Sequence, residues 1–244
     1  MRRGAGLLAG AAMGWALMAG AQEPGVVVAA TLEQPTYRYD HGVFGDPFEW
    51  GALRITLDRC PGCAKADLRD VLVTLSQSRV FEDVAARLAD LDGDGRPEVI
   101  VVETDVQLGA SLAVYDGSGK RAATAFIGQT RRWLAPAGVG DFDGDGRVEV
   151  AYVDRPHLTQ ELVFVRYGAG QLRELARQPG FSNHRFGDPE ISGGVRRCGG
   201  RDQLILALGD WTRMVAAGLD GGVQVQDLGP IAGPQDLAVA LICP

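Results

Sequence analysis

Two runs of alternating acids carry the most specific chemistry in this sequence. Residues 90–98 read Asp-Leu-Asp-Gly-Asp-Gly-Arg-Pro-Glu, and residues 141–149 read Asp-Phe-Asp-Gly-Asp-Gly-Arg-Val-Glu. Asp90, Asp92, Asp94 and Glu98 stand at positions 1, 3, 5 and 9 of the first run, and Asp141, Asp143, Asp145 and Glu149 at the same positions of the second. Four carboxylates a few ångströms apart repel by roughly 1 kcal/mol per pair even in water, and by more in a partly dry loop. A hard dication removes that cost. Calcium takes about six to eight oxygen ligands at roughly 2.3–2.6 Å in a tolerant geometry, so a short loop with acids at alternate positions can wrap it. Glycines at positions 4 and 6 (Gly93, Gly95, Gly144 and Gly146) allow the backbone to turn with positive φ. At position 7, Arg96 and Arg147 would offer their carbonyl oxygens and turn their side chains away. Two Ca²⁺ sites are expected.

The loops are not EF-hands. That motif needs a bidentate acid at position 12, where Val101 and Tyr152 stand, and it needs flanking helices. Here β-branched apolar runs follow, residues 99–102 and 150–153, so each loop joins two strands. The plainer alternative, two solvated acidic turns, does not account for two copies with the same ligand spacing.

The copies lie 51 residues apart (141 − 90). Around each loop the order repeats: a short strand (86–89; 137–140), the acidic loop, an apolar strand and a polar loop. A third strand (111–115; 162–167), a glycine-rich turn and a fourth strand (121–126; 171–176) complete the copy. Four strands joined by short hairpins make one blade of a β-propeller. Clear copies cover about residues 86–127 and 137–177. A third, over about 193–228, keeps the strands, but Val195, Arg197 and Gly199 stand where the first copy has Asp90, Asp92 and Asp94. A fourth is fainter: residues 53–57 and 71–75 read as strands, and the Phe-Gly-Asp-Pro of 44–47 echoes that of 186–189. The expected fold is all-β, a small propeller of about four blades (four to five). Residues 236–242 would supply a last strand that completes the first blade and leaves no long edge open.

Residues 88–102 and 139–153, which carry the two acidic runs and the strands around them, resemble the FG-GAP/VCBS repeat family, which includes the calcium-binding blades of integrin α-subunits. The resemblance implies a propeller with Ca²⁺ between the first and second strands of a blade, held by the eight acids named above. Family propellers commonly have seven blades, more than this chain can build, and Glu98 and Glu149 replace a frequent Asp at position 9. The family fixes no single function, since its members include interaction modules and domains that decorate enzymes.

In an antiparallel blade the one–two and three–four loops share one end, so the acidic loops lie there. The other end collects Glu103, Asp105, Asp154, Arg155, His157, Asp210 and Trp211 from two–three loops, and Arg131, His184, Arg185 and His41 from blade links. This end is the candidate ligand face. All three histidines of the chain fall on it. Close mutual approach of the histidines would favour a metal or catalysis, and scatter around the rim would favour partner binding. The competing possibility is a set of hydrogen-bonded loop residues that only hold blades together. The sequence favours a non-enzymatic binding module for a protein or glycan. The alternative is a hydrolase or metal-dependent enzyme using the His/Asp/Arg cluster. No nucleophile motif and no phosphate-binding loop is found in the sequence.

Residues 1–21 read as a secretory signal peptide: Arg2 and Arg3, an apolar run from 5 to 18, then small residues at 19–21. Residues 22–244 would form a single soluble, exported domain, periplasmic or extracellular, with no membrane insertion after cleavage. The 34 glycines and 12 prolines punctuate short strands rather than long helices. The net charge of −7, more negative still without Arg2 and Arg3, opposes nucleic acid and anionic membrane surfaces, because no basic stripe is present to neutralise phosphates. A monomer is expected. Cys60, Cys63, Cys198 and Cys243 form an even set, which in an exported chain reads as two disulfides with three possible connectivities. Cys60–Cys63 with Cys198–Cys243 is preferred. The Cys-Pro-Gly-Cys spacing also suits a redox or zinc motif, but it lies between two strand-like runs and lacks a second cysteine pair.

Overall fold

Alternation of side chains along short β-branched runs builds this molecule, and the alternation is used on both faces of each sheet. The computed structural model describes residues 25–233 and 235–243; the expected leader over 1–21 lies outside them. Three antiparallel strands open the described chain: β1 (Val26–Thr36), β2 (Glu49–Asp58) and β3 (Leu68–Thr74), with β2 between the other two. Cys60 and Cys63 are bonded within the β2–β3 loop, their Cα atoms 5.5 Å apart.

Three units follow. In the first, β4 (Arg79–Phe81) and β5 (Arg87–Ala89) share one edge of β6 (Glu98–Asp105), which continues into β7 (Gly109–Asp116) and β8 (Gly119–Ala123). The second is β9 (Leu134–Gly140), β10 (Glu149–Asp154), β11 (Glu161–Gly168) and β12 (Gln171–Pro179). The third repeats the split first strand: β13 (Phe181–Ser182) and β14 (Gly194–Cys198) both pair with β15 (Arg201–Leu208), followed by β16 (Arg213–Leu219) and β17 (Val223–Pro230).

Each sheet is covered on both faces. Val99 and Val101 of β6 point toward Leu53, Ile55 and Leu57 of β2. Their neighbours Ile100 and Val102 point the other way, into a core shared with Val150, Tyr152, Val163 and Val165 of the second unit. Ala151, Val153, Leu162 and Phe164 continue the stack into Leu204, Leu206, Val215 and Ala217 of the third. Burying each such side chain is worth roughly 1.5–3 kcal/mol, so the stacked faces hold the units together. Strand β9 packs tightly against side chains of the third unit: a Cβ on Gly138 would lie 2.3 Å from Val195 and one on Gly140 2.7 Å from Asp202. Only glycine fits there.

Two expectations are corrected. Residues 236–242 do not form a strand. They carry the helix α1 (Gln235–Val239), whose Leu237 is buried against Ile205, Ala207 and Ala216 on the outer face of the third unit. Short apolar runs read equally as helix or strand, and here two tethers decide the outcome. Cys243 is bonded to Cys198 at the end of β14, and Arg196 donates to the carbonyl of Ala240 at 2.9 Å. The tail is therefore held to the third unit and never reaches the first. The faint fourth unit is also not a separate four-stranded blade. Trp50 of β2 pairs with Phe81 of β4, which fuses the N-terminal strands and the first unit into one curled eight-stranded sheet. Among the described residues no helix is long and apolar enough to cross a membrane.

Candidate functional site

Both acidic runs fold into the same loop. In each, the two glycines take φ of +78° and +83°, the left-handed values that the spacing required. Main-chain N–H groups point inward at the acids. Gly93 and Gly95 donate to Asp90 at 2.8 and 2.9 Å; Gly144 and Gly146 donate to Asp141 at 2.7 and 3.0 Å. Arg96 and Arg147 donate their backbone N–H groups to Asp94 and Asp145 at 2.8 and 2.9 Å. Glu98 and Glu149 close the loops by accepting the N–H groups of Leu91 (2.8 Å) and Phe142 (3.0 Å). Carboxylate oxygens of Asp90, Asp92 and Asp94 lie within 4.8 Å of one another, as do those of Asp141, Asp143 and Glu149.

The two loops differ in one side chain that spacing did not reveal. Arg166 of β11 reaches into the second, donating to Glu149 (2.8 Å), Asp145 (2.9 Å) and Asp143 (2.9 Å). A lone arginine in an otherwise apolar strand was the available signal, since a buried guanidinium must find acids. In the first loop burial, and then Asp92, Asp94 and Asp90 nearby, push Glu98 up to about 7; a dication among these carboxylates would relieve their mutual repulsion. The first loop thus fits calcium, with Asp90, Asp92, Asp94 and Glu98 as the acids that would hold it.

A second unforeseen feature is position 2 of each run. Leu91 and Phe142 turn away from the acids and are 3% and 1% exposed. Leu91 enters the core shared with the second unit, and Phe142 the core shared with the third. Phe142 also accepts the N–H of Leu219 at 3.0 Å. A single apolar residue inside an acidic run was the signal for these inter-unit plugs.

At the opposite end, links and two–three loops converge as the alternation rule predicts. The two Phe-Gly-Asp-Pro turns meet: Gly187 donates to the Val43 carbonyl at 2.9 Å, and Phe44 packs edge-on against His184 and Trp133. His41, Arg131, Arg132, Trp133, Arg155, His157, Leu158 and Phe186 line a pocket of about 190 Å³. Trp133 is its buried floor and donates through Nε1 to the carbonyl of Glu82 at 2.9 Å. His41 Nδ1 donates to Glu82 Oε1 at 2.6 Å, and Thr104 donates to the other oxygen of that carboxylate at 2.6 Å. Glu82 is fully buried, and neither it nor its pairing with His41 was legible in the sequence.

The protons on the other two histidines follow from their partners. His184 Nε2 faces the carbonyl oxygen of Asp188 at 2.9 Å and must donate to it. Its Nδ1 is then an acceptor, so the bond to it from His157 Nε2, at 2.9 Å, carries the His157 proton. His157 Nδ1 is left as a bare lone pair. Burial first, then His184 and His41, pulls His157 down to about 4, and burial likewise lowers His184. Both rings stay neutral near pH 7. Phe186 contacts His41 and His157 with ring centroids 6.0 and 5.5 Å away.

Not every candidate joins this pocket. Arg131 does line it, at the rim, and pairs there with Asp40 at 2.6 Å. Asp154, nearly buried, is gripped by Arg155 and Arg177. Arg185 lies over the Trp211 ring at 4.2 Å, a separate pair. Glu103 is buried against Tyr115, Arg79 and Lys120. Asp105 and Asp210 cap their own turns at Gln107 and Thr212.

These observations define a class: a stack of antiparallel β units, two of which carry an acidic glycine-turned loop in their first hairpin, with a pocket gathered at the other end. Within it, residues 90–152 match the model of the FG-GAP-like repeat. The match runs from the first acid of the first loop into β10, just past the second loop. No curated protein matches the chain.

Proposed function

We propose that this protein is an exported, calcium-stabilised interaction module whose stacked units are arranged as propeller blades, and that it binds a protein or glycan through the pocket opposite the acidic loops. One observation carries the reading: loops from every unit bring His41, Arg131, Arg155, His157, Trp133 and Phe186 to one concave site. Aromatic rings bordered by guanidinium groups suit a partner that presents an apolar or planar group beside a carboxylate. Calcium at the first loop is structural, cancelling the repulsion among Asp90, Asp92, Asp94 and Glu98. The two disulfides support an oxidising compartment. The test is capture of partners from the native cell envelope by the tagged protein and by its H157A and R155A variants. Identical capture by wild type and both variants would remove the pocket from the account.

A second reading, acid–base catalysis, is favoured by the close approach of His157 Nε2 to His184 Nδ1, 2.9 Å, and by the His41–Glu82 pair. A buried carboxylate holding Nδ1 of a histidine at a pocket fixes the ring and its tautomer, leaving Nε2 as the acceptor, and His157 Nδ1 is a second acceptor in the same pocket. A panel of ester and glycoside substrates tests it: turnover that survives H41Q rules out His41 as the base.

A further inference from the structure

We infer that the second acidic loop carries its own cation, the guanidinium of Arg166, so that the chain takes up one calcium ion, at the first loop, where the repeat spacing alone implies two. The inference rests on the calcium reading of the first loop and goes beyond it.

Every carboxylate oxygen of the second loop has a donor. Asp141 takes Gly144 on one oxygen and Gly146 on the other. Asp143, Asp145 and Glu149 each give one oxygen to a main-chain N–H, of Asp145, Arg147 and Phe142. The remaining oxygen of each goes to Arg166: Asp143 Oδ2, Asp145 Oδ2 and Glu149 Oε1. Arg166 is 9% exposed. Such a charge stays inside only while acids pair with it, and a planar fork with several fixed donors suits three converging carboxylates. A calcium ion would have to take those same oxygens and leave the guanidinium buried beside a like charge.

The first loop has the same main-chain donors and no such arginine on the neighbouring strand. Strand register gives the comparison. Val99 pairs with Tyr115 in the first unit, and its counterpart Val150 pairs with Val165 in the second. The next residue is therefore Asp116 in one and Arg166 in the other. An acid replaces the cation at that register position: Asp116 lines a cavity with Asp94 and Glu98, where Arg121 pairs with it at 3.3 Å and Arg96 also lies. The two loops share a backbone, and the residue that register sets beside Glu98 or Glu149 is an acid in one and a guanidinium in the other.

Calcium is titrated into the chelator-stripped full chain by calorimetry, and bound ions per chain are counted by native mass spectrometry. The expected count is one. D92N should abolish it and D143N should leave it unchanged. R166Q should raise the count to two. A wild-type count of two, or loss of the single ion in D143N with retention in D92N, overturns the inference. The wild-type count and the two Asp variants decide the question even if R166Q fails to fold. A count of zero in wild type that rises to one in R166Q sinks the calcium reading of the first loop and still supports the role of Arg166. A count of zero in both overturns both.

Discussion

Phe142 donates its backbone N–H to Glu149 Oε2 across 3.0 Å while its ring packs edge-on against Phe164, centroids 5.2 Å apart, in the core shared with the third unit. One residue thus joins an acid of the loop to the packing of the next unit. Leu91 and Glu98 repeat the arrangement one unit earlier at 2.8 Å. The acidic loops are therefore staples between units: odd positions gather the acids and position 2 reaches into the neighbour.

Removing calcium should accordingly loosen the junction between the first and second units. At free ion about a hundredfold above Kd, one site adds roughly 2.7 kcal/mol. In a domain of about 220 residues that corresponds to a melting shift of roughly 5–10 °C. Thermal melts in chelator and in millimolar calcium check this. Hydrogen exchange should show the largest loss of protection around Leu91.

Truncating the plugs should cost as much as losing core residues. Phe142→Ala is expected to destabilise by about 3–5 kcal/mol and Leu91→Ala by about 2–5 kcal/mol. Urea midpoints measure both. A loss below about 1 kcal/mol for Phe142→Ala would show that the ring does not anchor the third unit.

His157 sets one pH dependence. Its folded value of about 4 lies below the ordinary histidine value of 6.5 because burial, and then His184 and His41, oppose protonation. The neutral ring is favoured in the fold, so its contribution is complete above about pH 6.5 and is lost as pH falls toward 4, at most ~3 kcal/mol. His157→Gln keeps a donor and does not titrate. Wild type should lose more stability than the variant between pH 6.5 and 4 in paired denaturation curves.

Glu49 sets another, of opposite sign. Burial, with Glu82, Asp46 and Asp83 nearby, pushes it up to about 10. The carboxyl is protonated in the fold at neutral pH, so its contribution is complete below about pH 4.5 and declines as pH rises. Glu49→Gln should match wild type near pH 4 and exceed it at pH 8 by a few kcal/mol. Equal melting at pH 8 would show that this carboxyl is solvated.

What could be read before any coordinates were those features that depend on neighbours along the chain. The acids at 90–98 and 141–149, the four-strand order and the turn glycines are local spacing, and periodicity reports local spacing directly. Alternation even placed His41, His157 and His184 at the end away from the acidic loops. Contacts between distant segments were not legible. Residues 236–242 carry apolar residues compatible with either helix or strand, and only Cys198 and Arg196, far back in the chain, decide where they lie. Glu82 became the partner of His41 through the packing of loops 41 residues apart. Two loops with the same ligand spacing acquired different neighbours because register set Asp116 beside one and Arg166 beside the other. Charge pairing across strands depends on which residues face each other, and register is a property of the folded sheet.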